Sequence, residues 1–207
     1  MRRIIIAAFL SLDGVIQGPG GPNEDTDGGF ALGGWVVPYV DEAFGTAMSE
    51  LFAQPFELLL GRRTYDIFAA HWPRVLADTD DRPLAELFNG ITKHVATHRP
   101  ESLAWQNSHG LGDDIIAALR ELKRQDGPAL LTQGSSELVH QLLATDLVDE
   151  LRLLVHPVLL GKGKRLFAED AMPAAFRLES SIASPSGIVI SRYVREGDVR
   201  TGTFELD

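Results

Sequence analysis

"LLLGRRTYDIF", residues 58–68, carries three leucines and a glycine straight into two arginines and a threonine. Residues 56–60 are a short apolar run, interrupted only by Glu57, between Pro55 and Gly61, the pattern of a buried strand. Residues 64–70 follow as a short helix. A strand, a glycine turn and a helix in that order form the repeating unit of an α/β sheet. Ligands of such sheets bind beyond the carboxyl ends of the strands. Gly61 lets the backbone turn close to a ligand. Arg62 and Arg63 each offer several donors to a phosphate. Thr64 stands at a helix N-terminus, where free amides favour anions. The alternative is an exposed helix start with ordinary surface arginines, and this stretch alone does not choose between them.

The rest of the chain makes the arginine pair more conspicuous. The 207 residues carry a formal net charge of −10, so a general attraction to nucleic acid or to acidic lipid is not expected. An anionic ligand would need a local cationic site. With 44% apolar and 23% charged residues, the composition is that of a globular domain, and one domain over 1–207 is the economical reading. No apolar run approaches the ~20 residues of a membrane helix. The opening "MRRIIIAAFLSLDG" has two arginines before an apolar run, but the run is short and β-branched and ends in Asp13-Gly14 without a small-residue cleavage site. It is expected to be a first buried strand, in a cytoplasmic protein. The absence of cysteine excludes disulfides, zinc–cysteine sites and thiol nucleophiles.

Outward from residues 58–68, strands are expected at 2–10, 93–97 and 128–134, with helices at 39–53, 111–127 and 135–146 between and after them. Residues 17–34, "QGPGGPNEDTDGGFALGG", are too glycine-rich for a regular element. They form either a flap or a disordered loop. Residues 74–90 are expected to be loop or irregular helix. Residues 149–161, "DELRLLVHPVLLG", are expected to be one long strand. Residues 175–184 and 187–196 alternate and pair as an antiparallel hairpin around Pro185-Ser186-Gly187. Early strands alternate with helices and late ones do not. The fold class is therefore α/β, a three-layer αβα sandwich with a mainly parallel central sheet and antiparallel C-terminal strands. The long apolar stretch at 151–160 suggests a homodimer.

Two more strand ends share the character of the first. Thr97, His98 and Arg99 follow the strand "KHVA". Gln133, Gly134, Ser135 and Ser136 lie between a strand and a helix, where the same residues serve equally as an anion cradle or as a plain serine cap. His94 and His98 have H-x-x-x-H spacing, but on a strand and with no neighbouring acid, so no metal is expected. Neither a phosphate loop with lysine nor a G-x-S-x-G elbow is present. Three anion-friendly strand ends in one sheet suit a ligand with several separated phosphates, such as a dinucleotide.

Together "SLDGVI" (11–16), "LLLGRRTYDIF", "KHVATHRP" (93–100), "LLTQGSSELVHQLL" (130–143) and "DELRLLVHPVLLGKGKRLF" (149–167) resemble the dihydrofolate reductase superfamily. More closely, they are similar to stand-alone bacterial proteins like the C-terminal reductase domain of the bifunctional riboflavin-biosynthesis deaminase–reductase. The resemblance spans residues 2 to about 195. It implies NADPH as cofactor, with Gly61, Arg62, Arg63 and Thr64 at its phosphates and Thr97, His98 and Arg99 beside the adenosine 2′-phosphate. It places Gly134, Ser135 and Ser136 under the pyrophosphate and nicotinamide ribose, and Ala8 and Ile16 along the nicotinamide ring. The family has two glycines where this chain has Gln133-Gly134, so a side chain stands where the backbone comes closest to the cofactor.

The resemblance also implies a carboxylate on the first helix that holds and protonates the substrate. Asp41 and Glu42 lie nearest that position and are the catalytic candidates; acids that merely complement the helix dipole are the alternative. Trp35 is the candidate substrate contact. The implied function is an NADPH-dependent reductase of a small heterocycle, pteridine-like or 5-amino-6-ribosylaminouracil-phosphate-like. The alternative is a nucleotide-binding protein of the same fold without catalytic activity. A phosphate-ester hydrolase lacks both the acid cluster and the nucleophile elbow it would need. The basic turn at Lys162, Lys164 and Arg165 either meets a substrate phosphate or is a set of exposed charges.

Overall fold

The structure, a computed structural model, describes residues 1–169 and 171–204. β1 (Ile4–Leu10) is β-branched and almost wholly buried, as expected of a strand covered on both faces. α1 (Glu42–Phe52) leads to β2 (Phe56–Gly61), which runs directly into α2 (Arg62–His71). α3 (Arg82–Gly90), β3 (Lys93–Ala96), the short β4 (Ser108–Gly110) and α4 (Ile115–Arg124) follow. The chain then forms β5 (Ala129–Gln133), α5 (Ser136–Leu143), β6 (Glu150–Val155) and the hairpin β7 (Ala175–Ala183) and β8 (Val189–Gly197).

These strands make one eight-stranded sheet in the order β4-β3-β2-β5-β1-β6-β8-β7. β4 through β6 are parallel and β8 and β7 antiparallel. β5 slots between β1 and β2, with Ile4 opposite Leu130 and Leu58 opposite Leu131. The expected class, a mainly parallel sheet with antiparallel C-terminal strands between helical layers, is the observed one. Alternate residues of β1 divide the core. Ile4, Ile6 and Ala8 face α4 and α5, whereas Ile5 and Ala7 face α1, α2 and α3.

Several boundaries differ from the sequence expectation for identifiable reasons. The strand expected over 149–161 ends at Val155. There the His156 amide still donates to Leu10 O (2.7 Å), but Pro157 has no N–H, and the Val158 amide turns back onto His156 O (2.8 Å). β6 is also an interior strand, paired with β1 on one side and β8 on the other, so it offers no edge for a dimer. The helix expected from residue 39 starts at Glu42, because Asp41 caps it. Residues 74–90, expected as loop or irregular helix, contain the helix α3.

Residues 17–34 fold into a loop closed at its neck, where Gly34 N donates to Gly18 O (2.8 Å) and Val36 N to Pro19 O (3.2 Å). Phe30, Trp35 and Val36 are buried beneath it. Gly163 has to be glycine here, since a Cβ would stand 2.5 Å from Val15 Cγ1. Among the described residues, no helix is long and apolar enough to cross a membrane.

Candidate functional site

At the carboxyl ends of β1, β2, β3 and β5 opens a cavity of about 610 Å³, within the range of small-molecule sites. Ala8 and Ile16 line one part of it. Gly61, Arg62, Arg63 and Thr64, then Thr97, His98 and Arg99, and finally Gln133, Gly134, Ser135 and Ser136 line the rest. β3 and β1 are three strand spacings apart, roughly 14 Å. The cavity thus reaches across the point where the strand order reverses, as open α/β sites do.

The two glycine turns are locked to each other. The amide of Gly61 donates to Ser135 Oγ (2.9 Å), and the amide of Ser135 donates to Thr64 Oγ1 (2.9 Å). Gly134 (φ +62°) and Ser135 (φ +52°) are both left-handed, a conformation a serine adopts only when its surroundings hold it there. A Cβ on Gly134 would press to 3.2 Å from Thr64 Oγ1. Gln133 does not occupy such a position. It is the last residue of β5, in strand register opposite Ala7, so it needs no glycine conformation, although its side chain lines the cavity.

Because Ser135 spends its hydroxyl on the other turn, it does not cap α5, and Gly61 cannot cap α2. Two helix N-termini thus meet the cavity without side-chain caps. By contrast, α1 and α4 are capped by carboxylates, Asp41 on Phe44 N (2.9 Å) and Asp114 on Ala117 N (2.9 Å), although Ile115 at the start of α4 also lines the cavity. α3 has no side-chain cap either, but Pro83 in its first turn has no N–H to satisfy. The uncapped first turns of α2 and α5 are places for anionic oxygens, and the glycine turn between them leaves room for a phosphate.

The cations are committed very unequally. Arg62 Nε pairs with Asp66 (2.9 and 3.0 Å), and its Nη1 donates to Ser102 Oγ (2.6 Å), Thr97 Oγ1 (3.3 Å) and Arg99 O (3.3 Å). It braces α2 against the turn after β3. Arg63 turns the other way, to Asp25 (2.8 Å) and Asp27 (2.5 Å) on the closed loop. Lys164 Nζ meets the same two carboxylates at 2.6 and 3.0 Å. Two cations and two anions alternate, and together they clamp the loop over the cavity. Asp25 is lowered from its ordinary value: burial pushes it up, but the Lys164 hydrogen bond, the Asp27 amide and the charges of Lys164 and Arg63 outweigh that. The guanidinium of Arg99 has no ion pair among the described residues.

The catalytic and substrate candidates Asp41, Glu42 and Trp35 do not line this cavity. Asp41 accepts from Ser186 N (3.0 Å) as well as Phe44 N, and these bonds hold its carboxyl at about 2. Glu42 is exposed at the start of α1. Trp35 is buried; its Nε1–H donates to Gln17 O (2.8 Å), and its ring packs edge-on against His156 at 5.2 Å. Asp13 holds the turn at residues 160–161, accepting from Leu160 N (3.1 Å) and Gly161 N (2.8 Å). Lys164, read as one of the charges of a basic turn, is a wall of the cavity, as are Glu24, Asp25 and Asp27. The sequence signal for these three was available: they are acids within an otherwise glycine- and proline-rich loop facing a cationic strand end.

Known proteins agree with this architecture. The protein YyaP of Bacillus subtilis is 26% identical over 188 residues, covering 91% of this chain and 92% of its own. A pyrimidine reductase-like protein from Corynebacterium diphtheriae superposes with a TM-score of 0.59 at 15% identity, covering 95% of this chain and 93% of that one. Dihydrofolate reductase from Enterococcus faecalis, solved in complex with NADP(H), superposes with a TM-score of 0.56 at 14% identity, covering 93% and 96%. The fold is dihydrofolate-reductase-like. A sequence profile of the RibD C-terminal domain matches residues 2–190, and the chain belongs to that family.

Proposed function

We propose that the protein is an NADPH-dependent reductase of a small heterocyclic substrate, pteridine-like or 5-amino-6-ribosylaminouracil-phosphate-like. The observation that carries this reading is the convergence of two helix N-termini without side-chain caps on one cavity, with an arginine at its β3 end that has no ion pair among the described residues. The family and the NADP(H) complex of the Enterococcus reductase support it. When bound, NADPH supplies the hydride. The chain's part is binding and orientation. The first-turn amides of α2 and α5 receive the pyrophosphate, while Thr97, His98 and Arg99 receive the 2′-phosphate. Ala8 and Ile16 give the nicotinamide an apolar wall. Arg63 reaches a phosphate only by giving up Asp25 and Asp27.

NADPH fluorescence titration, followed by oxidation assays with 7,8-dihydrofolate and 5-amino-6-(5-phosphoribosylamino)uracil, tests the reading. No NADPH binding at ~1 mM, where the binding free energy is only about −4 kcal/mol, overturns it. A second reading is a nucleotide-binding protein without catalysis. It is favoured by the placement of Asp41 and Glu42 outside the cavity, and it predicts NADPH binding without turnover.

The protein is further proposed to act in the cytoplasm as one domain over 1–207, without nucleic acid, and as a homodimer. Since β6 is interior, the surface suited to a second copy is β7. It is an edge strand of the sheet, with Leu178 and Ile182 about half exposed on it. Light scattering that shows a monomer at micromolar concentration refutes the dimer.

A further inference from the structure

Reducing a C=N or C=O bond takes a proton as well as a hydride, and Asp41 and Glu42 are not in the cavity to give one. The acids that line it are Glu24, Asp25, Asp27, Asp66 and Glu137. Asp66 is held by Arg62, and Glu137 belongs to the first turn of α5, at the proposed pyrophosphate. Asp25 and Asp27 are each bonded by both Arg63 and Lys164.

Glu24 is different. It has no ion pair among the described residues, and its Oε2 accepts from Gly20 N at 2.6 Å. Burial pushes its carboxyl up, the amides of Gly20 and Gly21 pull it down less, and the neighbouring Asp25 charge adds to the rise. Adjacent carboxyls shifted in opposite directions are the pattern of a general acid beside an ionised partner. The place fits as well. Glu24 belongs to the loop whose neck residues Gly18 and Pro19 line the cavity beside Ile16, the end proposed for the nicotinamide. The Arg63–Asp25–Lys164–Asp27 clamp holds the next three residues in position.

We propose that Glu24 is the proton donor of the reduction, an inference that rests on the reductase reading. As the hydride reaches the substrate carbon, the Glu24 O–H bond breaks and its proton goes to the substrate nitrogen or oxygen. The π pair of the C=N or C=O bond becomes the new N–H or O–H bond. The two electrons come from the hydride of NADPH, which leaves as NADP⁺, and the Glu24 carboxylate takes up a proton from solvent at the open mouth of the cavity.

Two measurements test this. In the ligand-free protein with ¹³C-labelled glutamate carboxyls, Glu24 is assigned by difference against Glu24→Gln, and it should titrate above the other glutamates. Gln keeps an oxygen to accept the Gly20 amide but has no proton to give. Glu24→Gln should therefore bind NADPH within about twofold of wild type and lose ~10²-fold or more in kcat with either assay substrate, with KM little changed. The fall of wild-type kcat as Glu24 deprotonates should be missing from its pH profile.

Full kcat in Glu24→Gln, or titration of Glu24 with the ordinary glutamates, overturns the assignment. Loss of NADPH affinity alongside activity also overturns it, since that marks Glu24 as a loop-holding residue. A wild type that binds or oxidises no NADPH refutes the reductase reading and the Glu24 role with it. An active wild type matched by an active Glu24→Gln refutes the Glu24 role alone.

Discussion

Replacing Arg99 by alanine should weaken NADPH by roughly 10- to 100-fold and leave NADH almost untouched. The turn after β3 is held by bonds that do not involve the Arg99 side chain. Its amide donates to Thr97 Oγ1 (3.1 Å), and its carbonyl accepts from Ser102 Oγ (2.7 Å) and Arg62 Nη1 (3.3 Å). Alanine keeps all three, so the turn survives. What is lost is a guanidinium without an ion pair among the described residues, standing where the proposed 2′-phosphate brings close to two negative charges. A charge-assisted hydrogen bond contributes about 1.5–3 kcal/mol. At ~1.4 kcal/mol per factor of ten, that is the predicted range, and NADH has no group to lose it.

Arg62→Ala is the informative contrast. It removes the brace to Asp66, Thr97, Ser102 and the Arg99 carbonyl together, so both nucleotides should lose affinity and the ratio should change less. The assay is the dissociation constant of each nucleotide for wild type and both variants, at ~0.15 M salt, where screening acts beyond about 8 Å. An equal loss of NADPH and NADH in Arg99→Ala would move that arginine to the pyrophosphate and refute the reasoning.

Other expectations follow from single contacts. Glu150 is fully buried and ion-paired with Arg3, Arg152 and Arg192. Glu150→Gln should cost stability near the low end of ~3–5 kcal/mol, because two of the arginines still reach solvent, and denaturant unfolding measures it. Gly163→Ala forces a Cβ against Val15 at a φ of +137° and should destabilise by ~1–3 kcal/mol, read as a lower Tm. Lys164→Met breaks half of the loop clamp and should speed proteolytic cleavage within residues 18–34 without a large change in Tm. Asp13 is held at about 2 by the Ser11 hydroxyl and the Leu160 and Gly161 amides. A folded value below the ordinary 3.8 adds stability that is present above 3.8 and lost as pH falls through about 2, so Tm should fall across that window, and less so in Asp13→Asn.

The sheet was legible because its strands are nearly continuous apolar runs closed by glycine or proline, as "FELLLG" and "ALLTQG" show. Periodicity does not reveal β5 slotting between β1 and β2, because strand order depends on pairing between segments distant in sequence. The end of β6 was misjudged because the apolar run continues past Pro157, and hydrophobicity alone does not register a missing N–H. The cavity-lining glycine turns were visible as motifs. Which serine caps and which ties two turns together was not, since Ser135 can do either and the choice depends on Gly61, distant in sequence.

Arg62 and Arg63 show the same limit most sharply. They are neighbours in the first turn of a helix, so their side chains leave the axis about 100° apart. That rotation sends Arg62 to the β3 turn and Arg63 to the glycine-rich loop, where Asp25 and Asp27 neutralise it. The pair that stands out in the sequence is therefore largely committed within the protein, and the inconspicuous Arg99 is the arginine at the cavity without an ion pair among the described residues. In a chain with a net charge of −10, counting arginines in a motif overstates the field a phosphate would meet. The useful charge is what remains once the carboxylates within reach have been paired. A dinucleotide that binds here must either use that remainder and the helix amides or compete with Asp25 and Asp27 for Arg63. If it competes, binding and loosening of the loop are one event, and NADPH should raise proteolysis of residues 18–34 in the wild type. If it uses the remainder, NADPH should protect the loop, and Lys164→Met should bind it as tightly as the wild type does.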